Sequence, residues 1–72
     1  MEHKFLQSVD GSVLFEKATG FLWNKSEDGE WEHDAAHGEW RDGIFHPEPP
    51  AWAGEMVPAT DEVVRECFPN AV

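Results

Sequence analysis

The stretch FLQSVDGSVLFE, residues 5–16, decides the fold: two short apolar runs rich in Val, Leu and Phe flank an Asp-Gly pair. That composition is the one expected of two antiparallel strands joined by a tight turn, because Asp-Gly tolerates the positive φ angles such turns require. A two-residue turn at Asp10-Gly11 pairs Ser8 with Val13, Leu6 with Phe15 and Lys4 with Lys17. One face of the hairpin then carries Leu6, Val13 and Phe15. The other carries Phe5, Val9 and Leu14 mixed with Gln7, Ser12 and Glu16. Apolar residues on both faces imply that a second element packs on the mixed one.

Outward from this hairpin, Thr19-Gly20 separates the second strand from Phe21-Leu22-Trp23, and a polar loop runs from Asn24 to Gly29. Gly29-Glu30-Trp31-Glu32 recurs nine residues later as Gly38-Glu39-Trp40-Arg41. Each Trp is flanked by charges, the period of two that places Trp on one face of a strand and carboxylates on the other. Two short copies are too few for a solenoid, so the echo is read as successive strands of one meander. Asp42-Gly43 offers a further turn into Ile44-Phe45. Four prolines between Pro47 and Pro58 remove ladder donors and predict an extended connector crossing the sheet. Thr60 then caps a helix with Asp61 and Glu62 in its first turn and Val63, Val64, Cys67 and Phe68 as its apolar stripe, and Pro69 stops it. Alone, so short a helix is marginal, so it is expected to dock on the second sheet face.

The predicted architecture is therefore α+β. A small antiparallel meander of four to six short strands spans residues 3–46, a Pro-rich connector 47–58 and a C-terminal helix 60–68, in a single domain of 72 residues. A chain this short buries only about 60% of its unfolded surface, which leaves little room for a deep cleft. The longest unbroken apolar stretches are three residues, Val13-Leu14-Phe15 and Phe21-Leu22-Trp23, so no membrane span is expected, and the opening Met-Glu-His-Lys does not read as a signal peptide. Lone Cys67 forms no internal disulfide and reads as a small hydrophobe. A cytoplasmic location is expected on these grounds.

Charge carries the functional signal. Fifteen acidic and five basic residues give a net charge of −10. Between residues 27 and 42 lie Glu27, Asp28, Glu30, Glu32, Asp34, Glu39 and Asp42 against Arg41 alone. Trp31 and Trp40 interrupt this run at strand-like intervals, so it is not a disordered acidic tail. Such a surface repels nucleic acid and anionic membranes and steers toward basic ones. Glu30 and Glu32 as alternate strand residues stand about 6.6 Å apart, close to every second phosphate of a nucleic-acid strand, where phosphates repeat every ~3.4 Å.

Catalytic signatures are weak. Ser8, Ser12 and Ser26 have no nucleophile-elbow context, there is no Gly-rich phosphate loop, and the many carboxylates lack a cleft to separate their environments. His33, His37 and His46, with Asp34 beside the first, are candidate metal ligands, but the spacing is loose and no Glu lies between His33 and His37 as the His-Glu-x-x-His pattern demands. No cofactor is expected. The expectation is a non-enzymatic, protein-binding module that uses Glu27, Asp28, Glu30, Trp31, Glu32, Asp34, Glu39, Trp40 and Asp42. Its partner would be a larger protein with a basic nucleic-acid-binding surface, with no direct contact to nucleic acid. By size and charge alone it is comparable to the small acidic antagonists of phages and mobile elements, such as anti-CRISPR and anti-restriction proteins. The alternative is a structural or accessory subunit that contacts a neighbour through exposed Trp and Phe, its acidity only solubilising.

Overall fold

The computed structural model describes residues 4–69. Strands β1 (Phe5–Ser8), β2 (Val13–Glu16), β3 (Leu22–Lys25) and β4 (Trp31–Asp34) form an antiparallel meander. Strands β5 (Gly38–Arg41) and β6 (Ile44–Pro47) form a hairpin, a 3-10 turn covers Ala51–Ala53, and β7 (Met56–Pro58) returns to pair with β1. Helix α1 (Asp61–Cys67) ends the described chain. The fold is thus α+β, with a five-stranded sheet in the order β4-β3-β2-β1-β7 and a second, two-stranded sheet β5-β6. The expected start of the meander at residue 3 lies outside the described residues. No helix among the described residues is long and apolar enough to cross a membrane.

The β1–β2 register is the one the sequence predicts: Leu6 lies opposite Phe15, and the Lys17 N–H donates to the Lys4 carbonyl. The turn itself is longer than two residues. The last ladder pair is Gln7 with Leu14, the strands end at Ser8 and resume at Val13, the Gly11 N–H donates to the Ser8 carbonyl, and Gly11 takes a φ of +76°. Side chains close the loop. Ser8 Oγ accepts from the Ser12 and Val13 N–H groups, and Asp10 Oδ1 accepts from the Ser8 and Ser12 hydroxyls and the Ser12 N–H.

Strand parity sorts the residues into two layers. One face presents Val13, Phe15 and Leu22, all buried, with Leu6 beside them and Ala53 and Met56 packed over them from the connector. Burial of each large side chain contributes about 1.5–3 kcal/mol relative to exposure. On the other face lie Phe5, fully buried Leu14 and Trp23, and α1 docks there. Phe68 sets its ring 5.8 Å from Phe5 and 4.9 Å from Trp23, and Lys25 pairs with Glu66. The helix start is fixed twice: Thr60 Oγ1 accepts from the Val63 N–H, and the Thr60 N–H donates to buried Gln7 Oε1 at 3.0 Å. Phe68, from the expected apolar stripe, caps the C-terminal end of the helix and is half-buried against Phe5 and Trp23.

Three other expectations are corrected. The connector 47–58 is not free of the ladder: its last three residues add an edge strand to β1, and the pairing tolerates Pro58 because an edge strand needs donors on one side only. The two Gly-Glu-Trp segments are not neighbours in one meander. After β4 the chain leaves through Ala35-Ala36-His37, the His37 N–H donates to the Gly20 carbonyl, and β5 starts a separate sheet. Asp42-Gly43 makes the expected turn there, with φ angles of 52° and 77° that match the twist of a tight hairpin. Finally, β6 ends at Pro47 rather than residue 46.

Candidate protein-docking surface

The acidic run is divided between two supports. Glu27 and Asp28 occupy the β3–β4 loop, which is closed by the Gly29 N–H on the Ser26 carbonyl and the Ser26 N–H on the Glu30 carbonyl. Glu30 precedes β4 rather than lying in it, because Gly29, at a φ of +84°, ends the turn one residue earlier. The ladder continues through Glu30 all the same, since its carbonyl lies in register with the β3–β4 pairs. Glu30, Glu32 and Asp34 therefore alternate along one face of the sheet margin, and all three are exposed. Glu39, Trp40 and Asp42 belong to the β5–β6 hairpin, so the nine candidate residues do not form one continuous strand face.

Trp31 and His33 point the opposite way from Glu32, toward the helix-bearing face. Trp31 is half-buried, pairs across the ladder with Lys25, and lies 6.0 Å from the Lys25 ammonium. Its indole Nε1 is buried and has no hydrogen-bond partner among the described residues. Lys25 is already engaged by Glu66 on that face, and so does not neutralise Glu30 or Glu32 on the other. Lys4 and Lys17 sit together at the far end of the sheet from the Ser26–Glu30 loop. The fold thereby keeps Lys4 and Lys17 away from its acidic margin and turns Lys25 to the opposite face.

Two candidate carboxylates have partners. Asp34 accepts from the Ala35 N–H at 2.8 Å and lies 3.2 Å from His37 Nε2, and these contacts hold its carboxyl below the usual carboxylate range. Glu39 lies 3.8 Å from Arg41. Glu27, Asp28, Glu30 and Glu32 make no ion pair or side-chain hydrogen bond among the described residues.

The candidate metal ligands disperse. His33 is on β4, edge-on to Phe21 and tilted against Trp23; His37 faces Asp34 and Trp52; His46 lies opposite Glu39 on the hairpin. No group of three or more His, Cys, Asp or Glu side chains placed to hold a metal ion occurs among the described residues. Burial, with Glu66 adding to it, pushes the Cys67 thiol up to about 11, so it stays protonated at neutral pH.

Sequence reasoning missed Trp52. It is 60% exposed and walls an open concavity of about 510 Å³ whose rim includes Ser8, Asp10, Asn24 and Glu55. Its only sequence signal is a Trp between alanines in a Pro-rich segment. Trp40 is 71% exposed. Comparison of the chain with protein-family models, with curated proteins and with solved structures returns no match.

Proposed function

We propose that this protein is an acidic docking module that occupies the basic, nucleic-acid-binding surface of a larger protein and so blocks it. The observation that carries this reading is the set Glu27, Asp28, Glu30 and Glu32: exposed and without ionic partners among the described residues, with Glu30 and Glu32 on a paired sheet margin and Glu27 and Asp28 in the loop that leads into it. Carboxylates on a sheet give up less backbone freedom on binding than those of a flexible tail, so more of their attraction appears as affinity. Exposed Trp40 and Ile44 favour the second reading, an accessory subunit bound through an apolar contact.

Capture from host lysate on the immobilised protein separates the two. Under the first reading the retained partner elutes with rising salt and is displaced by duplex DNA or RNA. Glu30→Lys with Glu32→Lys reverses the margin without touching the core, so the double variant folds and loses the partner by orders of magnitude, at about 1.5–3 kcal/mol per charge-assisted contact. Retention that survives both the double variant and high salt establishes the apolar reading instead.

A further inference from the structure

The two edges of the five-stranded sheet are not alike. On the β7 side the edge is three residues long and ends in Pro58, a short edge with a missing donor of the kind that discourages further pairing. The β4 side has no such guard. The Ser26 N–H donates to the Glu30 carbonyl, so alternation along this antiparallel ladder turns the peptide groups of Glu30, Glu32 and Asp34 inward to β3. Those of Trp31 and His33 turn outward. Neither residue's N–H or C=O forms a backbone bond outside the β3–β4 ladder among the described residues, and β4 is exposed everywhere except at half-buried Trp31.

We propose that β4 is a strand-addition site, and that its occupant is an extended, basic segment of the partner, docked antiparallel. The inference rests on the acidic-margin reading and names the part of the partner it takes. The occupant follows from charge complementarity. Residues of the incoming strand opposite Trp31 and His33 fall on the helix-bearing face, beside an indole and an imidazole. Residues between them fall beside Glu32, flanked by Glu30 and Asp34. The matching sequence alternates basic with apolar residues. A second copy of β4 would bring Glu32 and Asp34 against their own kind, which disfavours self-pairing.

The test uses the purified protein and a synthetic peptide, Lys-Val-Arg-Val-Lys-Val with blocked ends. Two analogues keep its charge: one N-methylated at the Val residues, whose amides face β4 in this register, and one N-methylated at the basic residues, whose amides face away. The parent and the second analogue should bind comparably, and methylation at Val should weaken binding by at least about tenfold. Exchange of the Trp31 and His33 amides should slow by about tenfold or more in the bound state. Glu32→Gln with Asp34→Asn should weaken the parent peptide, and a Glu-Val-Glu-Val-Glu-Val peptide should not bind. Equal binding by all three basic peptides overturns strand addition while leaving charge-driven docking intact. Absence of binding by the parent overturns the edge site, and the lysate capture above then judges the acidic margin separately. Binding of the acidic peptide overturns the charge argument. A sedimenting dimer with Trp31 and His33 amides already protected makes the occupant a second copy and overturns the proposal.

Discussion

Gly29-Glu30-Trp31-Glu32 and Gly38-Glu39-Trp40-Arg41 differ at one residue in four, yet the chain uses them in opposite ways. Gly29 ends a turn at a φ of +84°, with open space where a Cβ would stand. Gly38 is a strand residue whose missing side chain makes room for the Phe45 ring and the His46 carbonyl. Trp31 is half-buried on a five-stranded sheet backed by a helix; Trp40 is 71% exposed on a two-stranded hairpin, with Phe45 as its aromatic neighbour. Local pattern set the alternation in both copies, and the number of strands beneath each set its burial. A two-stranded ribbon has too little apolar area to bury a Trp, whereas a docked sheet covers one without a specific signal in the tetrapeptide.

The largest effect that sharpens this contrast lies in the sheet. Phe15→Ala should cost about 3–5 kcal/mol, most of the stability of a small domain, while Trp40→Ala should change stability by about 0.5 kcal/mol or less. Urea midpoints measure both. A Trp40→Ala loss comparable to that of Phe15→Ala breaks the comparison, because the hairpin would then be part of the cooperative core.

The glycines give the next largest effect. A methyl at Gly38 meets the Phe45 ring at 2.6 Å as well as backbone, so Gly38→Ala should cost about 1–3 kcal/mol through overpacking. Gly29→Ala meets no atoms and carries only the left-handed backbone penalty, about 1 kcal/mol. Phe45→Ala combined with Gly38→Ala distinguishes the causes: with the ring removed, only the ring's share of the Gly38 penalty should be relieved, because the His46 carbonyl remains, while the Gly29 penalty should not respond. Thermal denaturation of the three single variants and of Phe45→Ala combined with each glycine substitution reads the coupling.

Much of the fold was legible where local chemistry and global packing agree. Asp10-Gly11 and the parity of Leu6, Val13 and Phe15 specify a register that a one-residue slip would invert, and Thr60 with Asp61 and Glu62 marks a helix start unambiguously. Asp42-Gly43 likewise marks its hairpin. Strand β7 was hidden because Pro58 speaks against a central strand and says nothing against the end of an edge strand. The second sheet was hidden because a period of two reports alternation, not which strand lies alongside. Of the candidate site, the residues and their alternation could be read from the sequence; their division between the β4 margin and the hairpin depends on the His37–Gly20 hydrogen bond, which joins residues far apart in the chain.

The smallest expected effect tests two of the three Asp-Gly turns, Asp10-Gly11 and Asp42-Gly43. Both place Gly at positive φ, but Asp10 accepts from Ser8 and Ser12 side chains and the Ser12 backbone, whereas Asp42 itself adopts a positive φ and its carboxylate has no hydrogen bond among the described residues. The Ser8 hydroxyl, then those of Ser12, lower the Asp10 carboxyl from 3.8 to about 2. A carboxyl whose folded value lies below its unfolded value binds fewer protons when folded, so its contribution is complete above the unfolded value and disappears as pH falls through the folded one. Asp10 should thus stabilise the protein at neutral pH and lose that contribution between about pH 4 and pH 2. Asp10→Asn should lower the unfolding midpoint at pH 7, with the gap to the parent narrowing across that window, while Asp42→Asn should move it little at either pH, Asn being equally suited to the left-handed turn position. Solvent screening keeps the Asp10 effect modest, since the group is fully exposed. Midpoints measured at pH 7, 4 and 2.5 decide it: a gap that stays constant would show that the carboxylate charge is immaterial, and that the β1–β2 turn is held by backbone geometry, as the β5–β6 turn is.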